Sequence, residues 1–261
     1  MSESEGVEPV DSVPVQEPAG TRGMAAVFGP TVNAVFAPGR AFEVLESRPV
    51  LSAWILAWVV VGMIGMSFMN LDINRQFMRI GVIESMTQRS QDVDTEQLAK
   101  AVEGMDRFAP VIATVQNLFV VLLVMIVAAM FWGGSTMLGG RAKFSSALSV
   151  AAVGSVVHPL LATCFVALNW RINPPEIRRV SEIVSAVPSL GLDLFFGSDQ
   201  MSTAVRVLLQ RIDLFNIWWV VLVVMGSERL LRLKRGGAVG LALAIWLLSA
   251  AVSAGVASLG S

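Results

Sequence analysis

Five long, mostly apolar runs leave this chain few ways to fold. A helix that crosses a membrane needs about 20 apolar residues, since each residue advances it by about 1.5 Å through about 30 Å of hydrocarbon. The chain is 54% hydrophobic and 15% charged, whereas about a quarter of the residues of a soluble domain carry charge. The sequence therefore predicts an all-α, polytopic membrane protein with a bundle of five transmembrane helices and short amphipathic interfacial helices.

The predicted membrane domain covers residues 50–260, with spans expected at residues 50–71, 109–132, 145–170, 207–227 and 236–260. Four of the apolar runs are long enough by themselves. The fourth run is apolar only over residues 212–227, and it reaches spanning length only if the amphipathic residues 201–211 continue into it. We therefore predict one continuous helix through residues 207–227.

Two segments precede the first span. Residues 1–23 carry five acids and three prolines and cannot bury enough apolar area to offset chain entropy, which predicts a disordered acidic tail. Such tails are usually solvated, and docking to a partner is the alternative. Residues 24–49 are predicted to form an amphipathic interfacial segment through which the chain enters the membrane.

A short helix is predicted inside this segment, over residues 39–47. At about 100° per residue, Phe42 and Leu45 share one face of that helix, while Arg40 and Glu43 point the other way. A helix of this kind lies in the plane of the lipid headgroups. Phe42 and Leu45 are therefore candidate contacts with lipid or with a partner, and packing of the helix on other loops is the alternative.

Two longer connections also carry amphipathic patterns. Residues 94–108 begin with Asp94 as a helix N-cap, and they predict a helix outside the bilayer that runs toward Pro110. Residues 177–187 and 201–211 each gather apolar side chains on one face. These segments are predicted either to cap one side of the bundle or simply to shield the helix ends.

The two short connections between spans are basic. One carries Arg141 and Lys143 with no acid, and the other sets one acid, Glu228, against four basic residues: Arg229, Arg232, Lys234 and Arg235. Basic residues in short loops stay cytoplasmic, which predicts a protein of the cell inner membrane with a cytoplasmic N-terminus and its C-terminus outside. The four basic side chains of the second connection are candidate contacts with anionic headgroups or a partner. A role as a topology signal alone is the alternative.

Several polar residues fall within the predicted spans or at their ends: Gln116, Asn117, His158, Asp213 and Asn216. They could line a polar path or join helices by hydrogen bonds, and packing is favoured because transport would require several charges at mid-span. His158 precedes Pro159 and is predicted to bond a carbonyl that the proline leaves free. With Ser155 it would also suggest an intramembrane hydrolase, but both lie on one helix, and no further triad member is evident.

Metals, cofactors and nucleic acids are not indicated by the sequence. Cys164, the one cysteine, lies in an apolar run, and with one histidine the chain lacks the ligands of a zinc site. A formal charge of −1 argues against binding to a phosphate backbone. Membrane lipids are the expected partners, together with a protein or a second copy of this chain that packs on small residues of the fifth span.

Four segments carry a family resemblance: FAPGRAFEVLESRP before the first span, TEQLAKAVEGMDRFAPVIA at the second, GG and Phe144 before the third, and DLFNIWWVVLVVMG at the fourth. Over residues 35–255 the chain resembles the Yip family, the Ypt- and Rab-interacting membrane proteins, in its bacterial form. This resemblance implies five membrane helices with a cytoplasmic N-terminus, and in eukaryotic relatives it implies binding of small prenylated GTPases. The absence of tyrosine and the abundance of alanine, valine and glycine are typical of a bacterial chain.

These observations together predict a non-enzymatic, membrane-organising or partner-binding scaffold of the Yip type. No catalytic residue and no cofactor is expected. The alternative function is that of a small-solute or ion transporter or channel, in which the polar residues of the spans would line the path.

Overall fold

The computed structural model of the protein describes residues 25–89, 95–179, 186–196 and 202–259, together with Glu182. Regular structure within these ranges is helical throughout, which confirms the all-α class. Among the described residues, four helices are long and apolar enough to cross a membrane, and a bent pair makes five if it is one span. The predicted acidic tail, residues 1–23, lies outside the described residues.

The helices follow one another along the chain, and the longest connection runs from α7 to α8. They are α1 (Ala25–Phe36), α2 (Pro38–Ser47), α3 (Leu51–Met69), α4 (Leu71–Arg89), α5 (Thr95–Met137), α6 (Phe144–Ser155), α7 (Ala162–Ile172), α8 (Thr203–Gln210), α9 (Leu214–Leu230) and α10 (Arg235–Leu259). A π-helical turn (Val156–Leu161) joins α6 to α7, and a short 3-10 helix (Leu192–Phe195) precedes α8. The spanning elements are α3, α5, the unit from α6 to α7, and α10, with α8 and α9 as the bent pair.

The π-helical turn follows from a proline inside a spanning helix. Pro159 has no N–H to donate to the carbonyl of Ser155, four residues earlier, and its ring crowds that carbonyl. The helix widens at this point and then continues directly into α7. Widening keeps the remaining peptide groups bonded within the helix, which an environment without water requires.

The continuous helix predicted through residues 207–227 is wrong, because the chain bends by 58° between α8 and α9. Asp213 has extended backbone angles, and its carboxylate accepts a hydrogen bond from the N–H of Asn216 at 2.6 Å. It therefore caps α9 as a new helix. A side chain that caps a helix in this way does so from extended backbone angles, so this cap and an unbroken helix exclude each other.

Helix α5 is longer than the sequence suggested, with 43 residues. Residues 95–108, predicted as a separate helix, instead continue into the second span through Pro110. At about 1.5 Å per residue, α5 is about 65 Å long, roughly twice the hydrocarbon thickness, so its first part projects from the membrane. There it packs on α4. Arg79 of α4 forms an ion pair with Asp106 of α5, and its hydrogen bond holds the pKa of the Asp106 carboxyl below its ordinary value.

The other two amphipathic segments are only partly described. Of residues 177–187, the positions 180–181 and 183–185 lie outside the described residues. Ile177, the first residue of the predicted helix, is buried but is not helical. Residues 201–211 contain α8, which begins after Ser202, whose hydroxyl accepts a hydrogen bond from the N–H of Val205. An N-cap serine of this kind is a common helix start.

Helix α2 docks on the membrane bundle through its apolar face. Phe42 and Leu45 are each 1% exposed, and the Phe42 ring lies against Gly226 of α9 and close to Val150 of α6. The prediction that these two side chains contact lipid or a partner is therefore wrong. The sequence pattern of α2 shows only that one face needs apolar surroundings. Because Gly226 has no side chain, the Phe42 ring packs more closely on α9 than lipid chains would.

Substitution Gly226→Ala should destabilise the bundle. A Cβ at this position would lie 2.8 Å from Cε1 and Cζ of Phe42 and 3.0 Å from Cγ2 of Val150, and both of these side chains are buried. We expect a loss of about 1–3 kcal/mol of unfolding free energy, the usual cost of an overpacked core, measured by thermal denaturation in detergent.

Gly240→Ala is the matched control, because no atom lies within 4 Å of the Cβ that it would add to α10. Its melting temperature should equal or exceed that of the wild type, as expected for alanine in an open helical position. Equal melting temperatures for both variants would show that α2 does not pack at Gly226 as described.

Candidate functional site

One end of the bundle brings α2 together with the two short basic connections. The connection between α9 and α10 turns sharply, since Arg232 has a φ of 57° and the N–H of Leu233 donates to the carbonyl of Ser227 at 3.2 Å. A Cβ added to Gly140, between α5 and α6, would lie 2.9 Å from the carbonyl oxygen of Leu231. The two connections are therefore in direct contact.

Glu46 attaches α2 to this end of the bundle. Its Oε2 accepts a hydrogen bond from Nε of Arg229 at 3.0 Å, and its Oε1 accepts one from Nη2 of Arg232 at 2.5 Å. Arg229 also donates to the carbonyl of Gly39 at 3.4 Å. Two of the four basic side chains that were predicted to contact headgroups thus bind a carboxylate of the same chain. Even so, 70% of the Arg232 side chain remains exposed.

Positive charge predominates at this end, which we name the basic end. It comprises eight basic and three acidic residues: Arg40, Arg48, Arg141, Lys143, Arg229, Arg232, Lys234, Arg235, Glu43, Glu46 and Glu228. Lys234 and Arg235 are exposed, and Arg235 lies 3.9 Å from the carboxylate of Glu228. A surplus of cations at a membrane surface attracts anionic headgroups and acidic protein segments.

A second group of polar side chains, the polar cluster, lies at the break between α8 and α9. Its members come from α9, α10, the π-helical turn and the break itself: His158, Arg211, Asp213, Asn216 and Ser253. Nη2 of Arg211 donates to Oγ of Ser253 at 2.6 Å, and Nη1 lies 3.4 Å from Nε2 of His158. Both oxygens of Asp213 accept hydrogen bonds from Asn216, one from its N–H and one from its amide at 3.0 Å.

Three members of the polar cluster were among the predicted polar residues, and two were missed. In the sequence, Arg211 is the last residue of the amphipathic segment 201–211, and Ser253 looks like one of several small packing residues in the last span. His158 was predicted to bond a backbone carbonyl, but its Nε2 faces Arg211 instead. Since arginine can only donate, this contact requires Nε2 to be an acceptor.

The basic end and the polar cluster both lie in a stretch with a recognisable family signature. The Yip1 domain profile matches residues 32–257. The chain belongs to the Yip1 domain family. In this Yip1-domain protein the match begins within α1 and ends near the end of α10, so that it includes both groups of residues. Comparison with curated proteins and with solved structures finds no significant match.

The remaining predicted polar residues of the Yip1 domain lie apart from the polar cluster. Asn117 is buried, and its amide donates to Oγ of Ser67 at 2.8 Å and to the carbonyl of Ala113. Gln116, the next residue, is exposed on the outer surface of α5. Asn70, which the sequence analysis missed, is buried and donates to the carbonyl of Ala167 at 3.2 Å. Asn117 and Asn70 therefore join helices.

Ser155 of this Yip1 domain is not hydrogen-bonded to a base that could activate it as a nucleophile among the described residues. Its buried hydroxyl donates to the carbonyl of Ala152 at 2.6 Å, while the His158 ring faces Arg211. In the part of the chain that the structure describes, no group of three or more His, Cys, Asp or Glu residues could hold a metal ion.

A double-mutant cycle with Glu46→Gln and Arg229→Gln should reveal coupling between α2 and α9. About a third of each side chain is exposed, at 34% and 39%, so solvent screens the pair, and we expect a coupling free energy of about 0.5–1 kcal/mol in detergent unfolding. The pair of Glu96 and Lys100, each 73% exposed, is the control. Its coupling should stay at or below about 0.5 kcal/mol, and an equal value for both pairs would contradict a specific attachment of α2.

Proposed function

We propose that this Yip1-domain protein is a non-enzymatic membrane scaffold whose basic end engages anionic lipid headgroups or an acidic partner. The observation that carries the proposal is the concentration of eight basic residues against three acidic ones where α2 and both short connections meet. Lys234 and Arg235 are exposed there, and so are Arg141 and Lys143. This charge pattern suits attraction to an anionic surface.

The proposed orientation puts the basic end and the N-terminus in the cytoplasm and the C-terminus outside, in the inner membrane of a bacterium. The short basic connections support it through the positive-inside rule. Two further cations, Arg40 and Arg48, add to the charge at the same end through the position of α2. The opposite end holds the connection from α7 to α8, which includes the exposed Leu194.

Neutralising the basic end should reduce its preference for anionic lipid. In the variant Lys234→Gln with Arg235→Gln, we expect phosphatidylglycerol enrichment to fall at least about fivefold, since each surface cation contributes roughly 1 kcal/mol. Enrichment is measured as the lipid that co-purifies from equal mixtures of phosphatidylglycerol and phosphatidylcholine. The loss should shrink at high salt, which screens surface charges.

Lys100→Gln with Arg107→Gln is the matched control, because it removes two exposed charges from the projecting part of α5. Enrichment in this variant should equal that of the wild type. Equal losses in the two double variants would mean that total charge, and not the basic end, attracts the lipid, and the proposal would then fail.

The orientation is tested by labelling single cysteines in intact cells with a membrane-impermeant maleimide. In a Cys164→Ala background, Leu194→Cys should react, because this side chain is 65% exposed and the proposed orientation puts it outside. Lys234→Cys should react only after the membrane is permeabilised. The reverse pattern would put the basic end outside.

Transport of a small solute or ion is the second candidate function. The bend between α8 and α9 and the polar cluster beside it favour this candidate, because transporters bind solutes where spanning helices are interrupted. A flux assay in proteoliposomes separates the two functions. Solute flux that disappears in His158→Gln would support transport, whereas a scaffold carries none.

A further inference from the structure

The position of the polar cluster in the membrane can be estimated from the helices that carry it. His158 lies fourteen residues after Phe144, the first residue of α6, which is about 21 Å from the basic end at about 1.5 Å per residue. Ser253 lies eighteen residues after Arg235, the first residue of α10, or about 27 Å. The hydrocarbon is about 30 Å thick, so the cluster lies about 3–9 Å inside its far edge, from where a long arginine side chain can reach the phosphates of the leaflet opposite the basic end.

Arg211 is a cation without a carboxylate partner among the described residues. The ion pairs of the described residues do not include Arg211. The nearby carboxylate of Asp213 uses both oxygens to cap α9 through Asn216. The protein partners of the guanidinium are the neutral hydroxyl of Ser253 and the ring of His158. Asp213 keeps its negative charge and attracts Arg211 from a distance, but it does not bind the guanidinium, so the positive charge is only partly offset at the edge of the hydrocarbon, where charge is costly.

The guanidinium also keeps unused hydrogen-bond donors. Of its roughly five N–H groups, two point to Ser253 and His158. Arg211 is half-buried and not enclosed by protein, which leaves room for a ligand beside its unused donors. A planar fork of N–H groups matches two oxygens of a phosphate, and such charge-assisted pairs are among the strongest in proteins.

Apolar side chains surround the approach to Arg211. Leu208 of α8, Ile212 at the break and Val252 of α10 are each more than a third exposed. A free anion gains nothing from these neighbours, whereas the acyl chains of a lipid would cover them. The surroundings thus favour a phosphate that is attached to a lipid.

We propose that Arg211, positioned by Ser253 and His158, binds a phosphate group in the leaflet opposite the basic end, with a glycerophospholipid as the favoured source. This site is separate from the basic end and does not depend on the function proposed for it. The bend between α8 and α9 creates the site, because it leaves Arg211 between two helices and turns Asp213 into a helix cap.

The test uses the full chain in a neutral detergent, with ligand-dependent thermal shifts and native mass spectrometry. Phosphatidylglycerol should raise the melting temperature, and diacylglycerol with the same acyl chains should not. In Arg211→Gln the apparent Kd for phosphatidylglycerol should rise at least about tenfold, since hydrogen bonds to charged groups are strong. The same variant should retain one lipid fewer than the wild type.

Two further variants separate this site from other effects. Lys234→Gln with Arg235→Gln alters the basic end and should keep the Arg211-dependent lipid. Ser253→Ala removes a bond that holds α8 to α10 but leaves the guanidinium, so it should lower the melting temperature without abolishing the lipid-dependent shift. If Arg211→Gln does not fold, Arg211→Lys replaces it, and its affinity should fall by a smaller factor because an ammonium lacks the fork.

Inorganic phosphate, compared with chloride at the same ionic strength, identifies the source of the ligand. A shift with inorganic phosphate that depends on Arg211, without one for phosphatidylglycerol, would keep the phosphate site and assign it to a soluble ligand. The proposal is overturned if replacing Arg211 changes neither response, because the residue would then serve only to hold α8 against α10.

Discussion

Peptide groups inside hydrocarbon must bond to one another, because no water reaches them. This constraint turns each apolar run into a helix and makes each interruption informative. Pro110 and Pro159 lie in helices that continue past them, the second through a π-helical turn. Between α8 and α9 the helix is interrupted, and the Asp213 carboxylate caps the start of α9 by accepting a hydrogen bond from an N–H that has no carbonyl partner within the helix. The polar cluster assembles at that interruption, where the chain has already departed from a simple span.

The basic end depends on one short helix that serves two purposes. The buried face of α2 places Phe42 against Gly226, which anchors the helix in the bundle. Glu46 lies four residues after Phe42, beside the same face, where it bonds Arg229 and Arg232 and so holds the last basic connection beside α2. Positive charge still predominates after this partial neutralisation, and it is concentrated where three segments of a Yip1-domain protein meet. Packing and surface charge are therefore linked through the same ten residues.

Local patterns predicted part of this arrangement and missed the rest for identifiable reasons. The amphipathic character of α2 was visible in the sequence, but its partner was not, because lipid and a neighbouring helix both satisfy an apolar face. Pro110 suggested a boundary by local rules, yet α5 runs through it while packed on α4. The preceding helix α1 was not recognised at all.

The sequence by itself determined that the chain forms apolar helices of spanning length, that it belongs to the Yip1 domain family, and that two short connections are basic. These properties depend on composition and on residues close together in the chain. Tertiary structure alone decided that Phe42 is buried and that Arg211 meets Ser253 and His158, which are 42 and 53 positions away. Contacts across such separations depend on how helices rotate, bend and pack, and hydropathy and local periodicity do not specify these.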